Sequence, residues 1–238
     1  MKLLRQWFKS MRSLPPVMRE RIDAWRELDE PDLNMGHPLM RYVVVDVESS
    51  GLNLSSDHLI AIGAVTVSGA RIAYANSFYS VLRQEKASND DNILVHRIGG
   101  TSQIEGEDPE EVLLRFLEFI GKAPLIGFHS PFDEIMIRKA IRRYLGRKFN
   151  RTWIDLAWLA PAVVPECGGK PKSLDEWSQM FQIANFLRHD ALADALATAQ
   201  LFLILQHRAT EAGLGSVQGL VDAARRQEWL RKLERRGL

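Results

Sequence analysis

One short stretch does most to limit what this chain can fold into: Tyr42-Val43-Val44-Val45-Asp46-Val47-Glu48. The run over 42–47 is apolar and rich in β-branched side chains, as expected of a central, buried strand. Side chains alternate across a strand, so Asp46 and Glu48 share one face. Two carboxylates on a buried strand are costly unless something compensates their charge. A divalent cation such as Mg2+ or Mn2+ would do so, because these ions prefer carboxylate oxygens. The pattern itself is common: with 14 Asp and 16 Glu, chance predicts about one Asp-x-Glu triplet. Asp108-Pro109-Glu110 is a second one and reads better as a helix cap. Position on a buried strand, rather than pattern, sets Asp46 and Glu48 apart.

Strand signals recur over 58–67 and 71–82, with Ser68-Gly69 between them as a hairpin signal, and again over 125–128 and 153–156. Asp108 and Pro109 supply a cap and a proline at the first helical position for a helix to about residue 122. Pro131 opens another that ends near Gly146, and Ser173 with Glu176 forms a capping box for a third. Further helices are expected over 191–207 and 216–236, and 161–172, rich in Pro and Gly, reads as a loop. Three hairpin-like strands followed by alternating helices and strands imply an α/β domain, a mixed five-stranded sheet flanked by helices around one core.

The chain divides into a helical extension and linker over 1–40, the main domain over 41–210 and a basic helix over 211–238. Leu3, Leu4, Trp7, Phe8, Met11 and Leu14 recur at helical spacing, Pro15-Pro16 stop that helix, and 17–28 could form a second. Such a first helix ordinarily packs on its own domain; a protein partner or a membrane surface is the alternative.

The net charge of +1 conceals an uneven distribution. Residues 1–12 and 225–236 each carry +4, which leaves −7 on 13–224. An acidic body with basic ends suits a carboxylate-rich metal site beside phosphate-binding arms, although either end alone reads better as a solvated helix face. No apolar run approaches the roughly 20 residues of a transmembrane segment, and the basic start lacks the continuous apolar stretch of a secretory signal. Cys167 is the single cysteine and cannot form an intrachain disulfide, which fits a cytoplasmic protein.

Two further segments carry chemistry. In Leu125-Ile126-Gly127-Phe128-His129-Ser130-Pro131-Phe132-Asp133 a strand leads into a helix whose first turn holds Asp133. In Arg188-His189-Asp190-Ala191-Leu192-Ala193-Asp194-Ala195-Leu196-Ala197-Thr198-Ala199, Asp190 can cap a helix that carries Asp194 among alanines and leucines. If that helix starts after His189, the imidazole belongs to a loop and can lean over the site. Taken alone, Asp133 reads as an acid well placed against a helix dipole, and His189 as a surface histidine beside a cap.

Together, the order and spacing of these segments resemble the DEDDh group of 3′→5′ exonucleases, which includes proofreading exonuclease subunits, ribonuclease T and oligoribonuclease. The resemblance runs from about residue 41 to 205. It is most specific at Val43-Val44-Val45-Asp46-Val47-Glu48-Ser49-Ser50-Gly51-Leu52, where the family usually has two threonines before Gly-Leu, and over 189–199. Phe132-Asp133 matches the core of the middle motif. Phe128-His129 stand where the family often reads His-Asn, and Val95-His96-Arg97-Ile98 resembles a segment with glycine in place of Arg97. The resemblance implies a ribonuclease H-like exonuclease fold and release of nucleoside 5′-monophosphates from the 3′ end of single-stranded DNA or RNA.

It also implies two divalent cations, Mg2+ or Mn2+. Asp46 would bridge both, Glu48 and Asp194 would bind the ion on the nucleophile's side, and Asp133 would act on the second. His189 would be the general base. Ser49, Ser50, Gly51 and Leu52 would meet the terminal nucleotide, with Leu52 against its base. His129 replaces an asparagine there, and His96 is either near the substrate or structural. A nucleic-acid-binding or polymerase-accessory subunit without catalysis, or another metal-dependent phosphoesterase, would use the same fold and acids. A protein partner could dock on the terminal helices.

Overall fold

The computed structural model describes residues 14–167, 172–185 and 187–235; the helix expected ahead of Pro15 lies outside them. Five strands form one sheet: β1 (Arg41–Ser49), β2 (Leu59–Ser68), β3 (Arg71–Val81), β4 (Leu125–Gly127) and β5 (Trp153–Asp155). Their order is β3-β2-β1-β4-β5, so the valine-rich run is the central strand, as its composition requires. β1, β2 and β3 are antiparallel neighbours, whereas β4 pairs with β1 and β5 with β4 in parallel. The turn between β2 and β3 consists of Gly69 and Ala70, both at positive φ, which matches the twist that a two-residue hairpin demands.

Nine α-helices complete the described residues: α1 (Pro16–Glu27), α2 (Asp90–His96), α3 (Gly100–Ile104), α4 (Pro109–Ile120), α5 (Pro131–Tyr144), α6 (Leu156–Val163), α7 (Leu174–Met180), α8 (Ala191–Glu211) and α9 (Val217–Arg235). Alternation along β1 splits the core in two. Tyr42 and Val44, with Val65, Val67, Ile126 and Ile154, pack under α6, α8 and α9. Val43, Val45 and Val47, with Ile62, Ala64 and Leu125, pack under α4 and α5. α1 seals the second layer: Ile22 is buried in it, Arg21 forks onto Glu111 and Glu118, and Trp25 Nε1 donates to Gly121 O at 2.8 Å.

The caps expected from sequence are present. Asp108 accepts from the N–H groups of Glu110 and Glu111, and Ser173 with Glu176 forms a reciprocal capping box. The loop expected over 161–172 is corrected in part, because Pro161 lies inside α6. Asp155 caps that helix through Ala157 N–H at 3.0 Å, and Leu156, Ala157, Leu159, Ala160 and Val163 are buried. Their burial offsets the one helical hydrogen bond a proline cannot make. The strand expected over 153–156 correspondingly ends one residue earlier, at Asp155.

Candidate active site

Asp46 and Glu48 stand near the end of β1, opposite Gly63 and Ala61 of β2. Their face of the sheet is the one that α8 covers. Gly63 makes the approach of α8 possible. A Cβ at this position would lie 2.2 Å from the carbonyl carbon of Ala191 and 2.4 Å from Leu192 N. The first turn of α8 therefore rests directly on the strand beside Asp46, which brings Asp194 to the two strand acids. One carboxylate oxygen from each of Asp46, Glu48 and Asp194 lies within 4.8 Å of the others.

The middle motif arrives along the parallel pair β1–β4. The chain leaves β4 at Gly127, turns through His129 at φ 59°, and starts α5 with Asp133 in its first turn. Asp133 is buried, and its Oδ1 accepts the N–H of Val47, between the two strand acids, at 3.2 Å. Its charge acts directly on Asp46. Four acids from three distant segments thus meet at one end of the central strand.

Electrostatics mark this cluster as incomplete by itself. Burial, followed by the carboxylates of Asp133, Asp194 and Glu48, raises the Asp46 carboxyl well above its ordinary range. Burial and the neighbouring Asp194 and Asp190 push Glu48 up to about 8. Asp133 is likewise raised, chiefly by burial. The donor set consists of hard oxygens, closely spaced and half-buried to buried, which fits divalent cations such as Mg2+ or Mn2+.

α8 begins at Ala191 with Asp190 as its cap, accepting Ala193 N–H at 2.9 Å, so His189 belongs to the preceding loop. Its backbone is left-handed at φ 62°, and its N–H donates to Asp194 Oδ2 at 3.0 Å. The imidazole is exposed and makes no hydrogen bond among the described residues. Two non-glycine residues at positive φ, His129 and His189, therefore flank the acids, and strained backbone of this kind collects at functional sites.

The segment after β1 is a braced loop. Ser49 Oγ donates to Gly51 O at 2.7 Å, while Ser50 Oγ bonds Asp57 and His58. Lys139 of α5 donates to the carbonyls of Leu54 and Asp57 at 2.6 and 2.8 Å. At Gly51 a Cβ would fall 2.5 Å from Asp57 Oδ2. Ser49 and Ser50 thus face inward, and Leu52, 86% exposed, is the most exposed apolar side chain of the loop. His129 is exposed, with its N–H on Asp155 Oδ1 at 2.9 Å. His96 is buried: Nδ1 accepts Ile98 N–H at 2.9 Å and Nε2 lies 2.8 Å from Asn92 Oδ1, which is the structural alternative for this residue. It still lines a cavity of about 430 Å³ with Tyr79, Arg97, Leu187, Arg188 and Asp190, next to the acids.

Sequence reading assigned no role to three residues here. Asn185 Nδ2 donates to Asp194 Oδ1 at 2.5 Å, and Arg188 bridges Asp194 and Asp175. Gly63 admits α8. A glycine in the middle of a strand is a readable sign of close backbone approach, whereas Asn185 and Arg188 carry no signal until the loop is folded.

Comparison with known proteins places these features. Residues 43–202 match the family model described as exonuclease, of the RNase T type. DNA polymerase III subunit epsilon of Aquifex aeolicus is 31% identical over 186 residues, which covers 75% of this chain and 87% of that protein. DNA polymerase III PolC-type of Thermotoga maritima is 31% identical over 165 residues, 68% of this chain but only 12% of the relative's length. The chain therefore spans about an eighth of the PolC-type relatives that it matches. In fold, it is similar to E. coli exonuclease I in complex with a dT13 oligonucleotide, with a TM-score of 0.61, 17% identity, and 73% of this chain and 42% of that chain covered. It is also similar to exonuclease X in complex with 5′ overhanging duplex DNA, at TM-score 0.58 and 20% identity, with 77% and 99% covered. The match over 43–202, which contains all four acids and His189, shows that this chain belongs to the RNase T exonuclease family.

Proposed function

We propose that the chain hydrolyses the 3′-terminal phosphodiester bond of single-stranded DNA and releases nucleoside 5′-monophosphates in succession. The observation that carries this reading is the convergence of Asp46, Glu48 and Asp194 within 4.8 Å, with Asp133 of α5 hydrogen-bonded to the strand backbone at Val47 between the two strand acids. DNA is favoured as substrate by the polymerase relatives and by the DNA complexes of the similar structures.

Asp46, Glu48, Asp133 and Asp194 would hold two divalent cations. When bound, these supply the positive charge that phosphodiester hydrolysis needs at the attacking and leaving oxygens. His189 takes the proton of the attacking water: its imidazole is unengaged and its backbone is tied to Asp194, at the rim of the acidic cluster. Leu52 provides an apolar face for the terminal base, and Ser49, Ser50 and Gly51 hold it in place with Lys139 and Asp57. His129 lines the terminal-nucleotide side, and His96 braces the wall of the adjacent cavity. Residues 41–210 form the catalytic unit. The flanking 1–40 and 211–238 are the parts open to a protein partner, and exposed Trp229 and Leu230 on α9 support this for the second.

The test is digestion of 5′-labelled single-stranded DNA and RNA with Mn2+ or Mg2+. A ladder shortening from the 3′ end, stopped by EDTA, is expected on DNA. It should be absent for Asp46→Ala and slowed about 10²–10⁴-fold for His189→Ala. Binding without cleavage, or internal cuts, would overturn the reading.

A further inference from the structure

The acidic centre already contains a positive charge. Arg188 stands one residue before His189, with its Nε 2.5 Å from Asp175 Oδ1 and its Nη1 on Asp194 Oδ2. The same oxygen of Asp194 also accepts His189 N–H, and the other oxygen accepts Asn185. Both oxygens of Asp194 are therefore engaged. The reach of Arg188 goes beyond Asp194, because its charge acts on Asp46 and Glu48 as well. Its two carboxylate partners differ in setting: the Asp194 side chain is 6% exposed and Asp175, in the first turn of α7, is 63% exposed.

We propose that Arg188 is the resident counter-ion of the acidic centre and is displaced from Asp194 when divalent cations load. The inference rests on the cation-dependent reading above. A cation that takes Asp194 as ligand needs oxygens at about 2.0–2.1 Å for Mg2+ and draws on the charge that Arg188 now neutralises. Two positive charges on that carboxylate repel each other strongly, because the Asp194 side chain is buried and little screened by solvent. Asp175 provides a solvent-facing partner that retains the guanidinium after it leaves. The arrangement keeps the centre from standing as uncompensated buried carboxylates before the cations arrive, and it makes cation binding an exchange of one positive charge for another.

The two roles open to Arg188 give opposite signs. If it merely positions Asp194, removing it loosens a ligand and weakens cation binding. If it competes with cations, removing it tightens their binding. The experiment is calorimetric titration of the full chain with Mn2+, comparing wild type, Arg188→Met, Arg188→Lys and Asp46→Asn, with thermal melts in EDTA and in saturating Mn2+. Arg188→Met should bind Mn2+ at least about threefold more tightly and melt lower in EDTA, with its melt restored towards wild type by Mn2+. Arg188→Lys, which keeps the charge, should stay nearer to wild type. Unchanged or weaker Mn2+ binding by Arg188→Met, with binding still lost in Asp46→Asn, would overturn the counter-ion role alone. Undiminished Mn2+ binding by Asp46→Asn would overturn the cation site itself, and the counter-ion role with it.

Discussion

Glu48 shows how a single side chain links the site to the stability of the molecule. Its carboxyl rises from an ordinary 4.5 to about 8, first because it is buried and then because Asp194 and Asp190 are near. Such a group holds its proton more tightly in the folded chain than in the unfolded one. Without cations, the contribution of Glu48 to stability is therefore full below the ordinary carboxylate range and is lost as pH rises to about 8. Asp46 and Asp133 are raised too and act in the same direction. The melting temperature in EDTA should accordingly fall between about pH 5 and pH 8. Glu48→Gln should flatten much of that fall, and saturating Mn2+ should remove it, because cation binding favours the ionised carboxylates. A melting temperature that is flat or rises over this interval in wild type would contradict the buried-carboxylate account. Asp46 and Glu48 were legible in sequence as costly charges on a buried strand, whereas Asp133 alone reads as an acid set against a helix dipole and was picked out only by the family resemblance. Arg188, their counter-charge, was not legible, because a cation beside a histidine on a loop has many ordinary uses.

α8 is the element that assembles the site, and its placement depends on what the strand beneath it lacks. Gly63 leaves room for the backbone of Ala191 and Leu192, the turn that delivers Asp194. In Gly63→Ala the added methyl would meet backbone atoms at 2.2–2.4 Å, so α8 or β2 must shift. Overpacking of this kind costs about 1–3 kcal/mol, equivalent to a fall of several degrees in melting temperature. Hydrolysis should drop at least about tenfold through displacement of Asp194, beyond what the loss of stability explains. A variant with wild-type rate would show that α8 is positioned by its other contacts. Element type was legible wherever periodicity ran long, as in α4, α5, α8 and α9. It was not legible in α6, where Pro161 argues for a loop and only tertiary burial of Leu156, Leu159 and Val163 makes a helix worthwhile. The short α2 and α3 hold seven and five residues, too few for a periodic pattern to stand out.

At the scale of the whole molecule, the fold acts as a device for convergence. Asp46 and Glu48, Asp133, and Asp194 are separated by long stretches of chain, yet the antiparallel start of the sheet and its parallel second half bring them to one end of β1. The mixed sheet followed from the order of strand and helix signals, and the gathering of the acids followed from the family resemblance rather than from periodicity. What the sequence left dark is long-range: the bracing of the 50–57 loop by Lys139 and the packing of α1 on α4 join residues that no local pattern relates. The most direct measurement is anomalous scattering from crystals of the full chain soaked in Mn2+. Peaks are expected beside the carboxylate oxygens of Asp46, Glu48 and Asp194, at the roughly 2 Å spacing of oxygen ligands to small divalent cations. Mn2+ bound only elsewhere, with these carboxylates unliganded, would contradict the account.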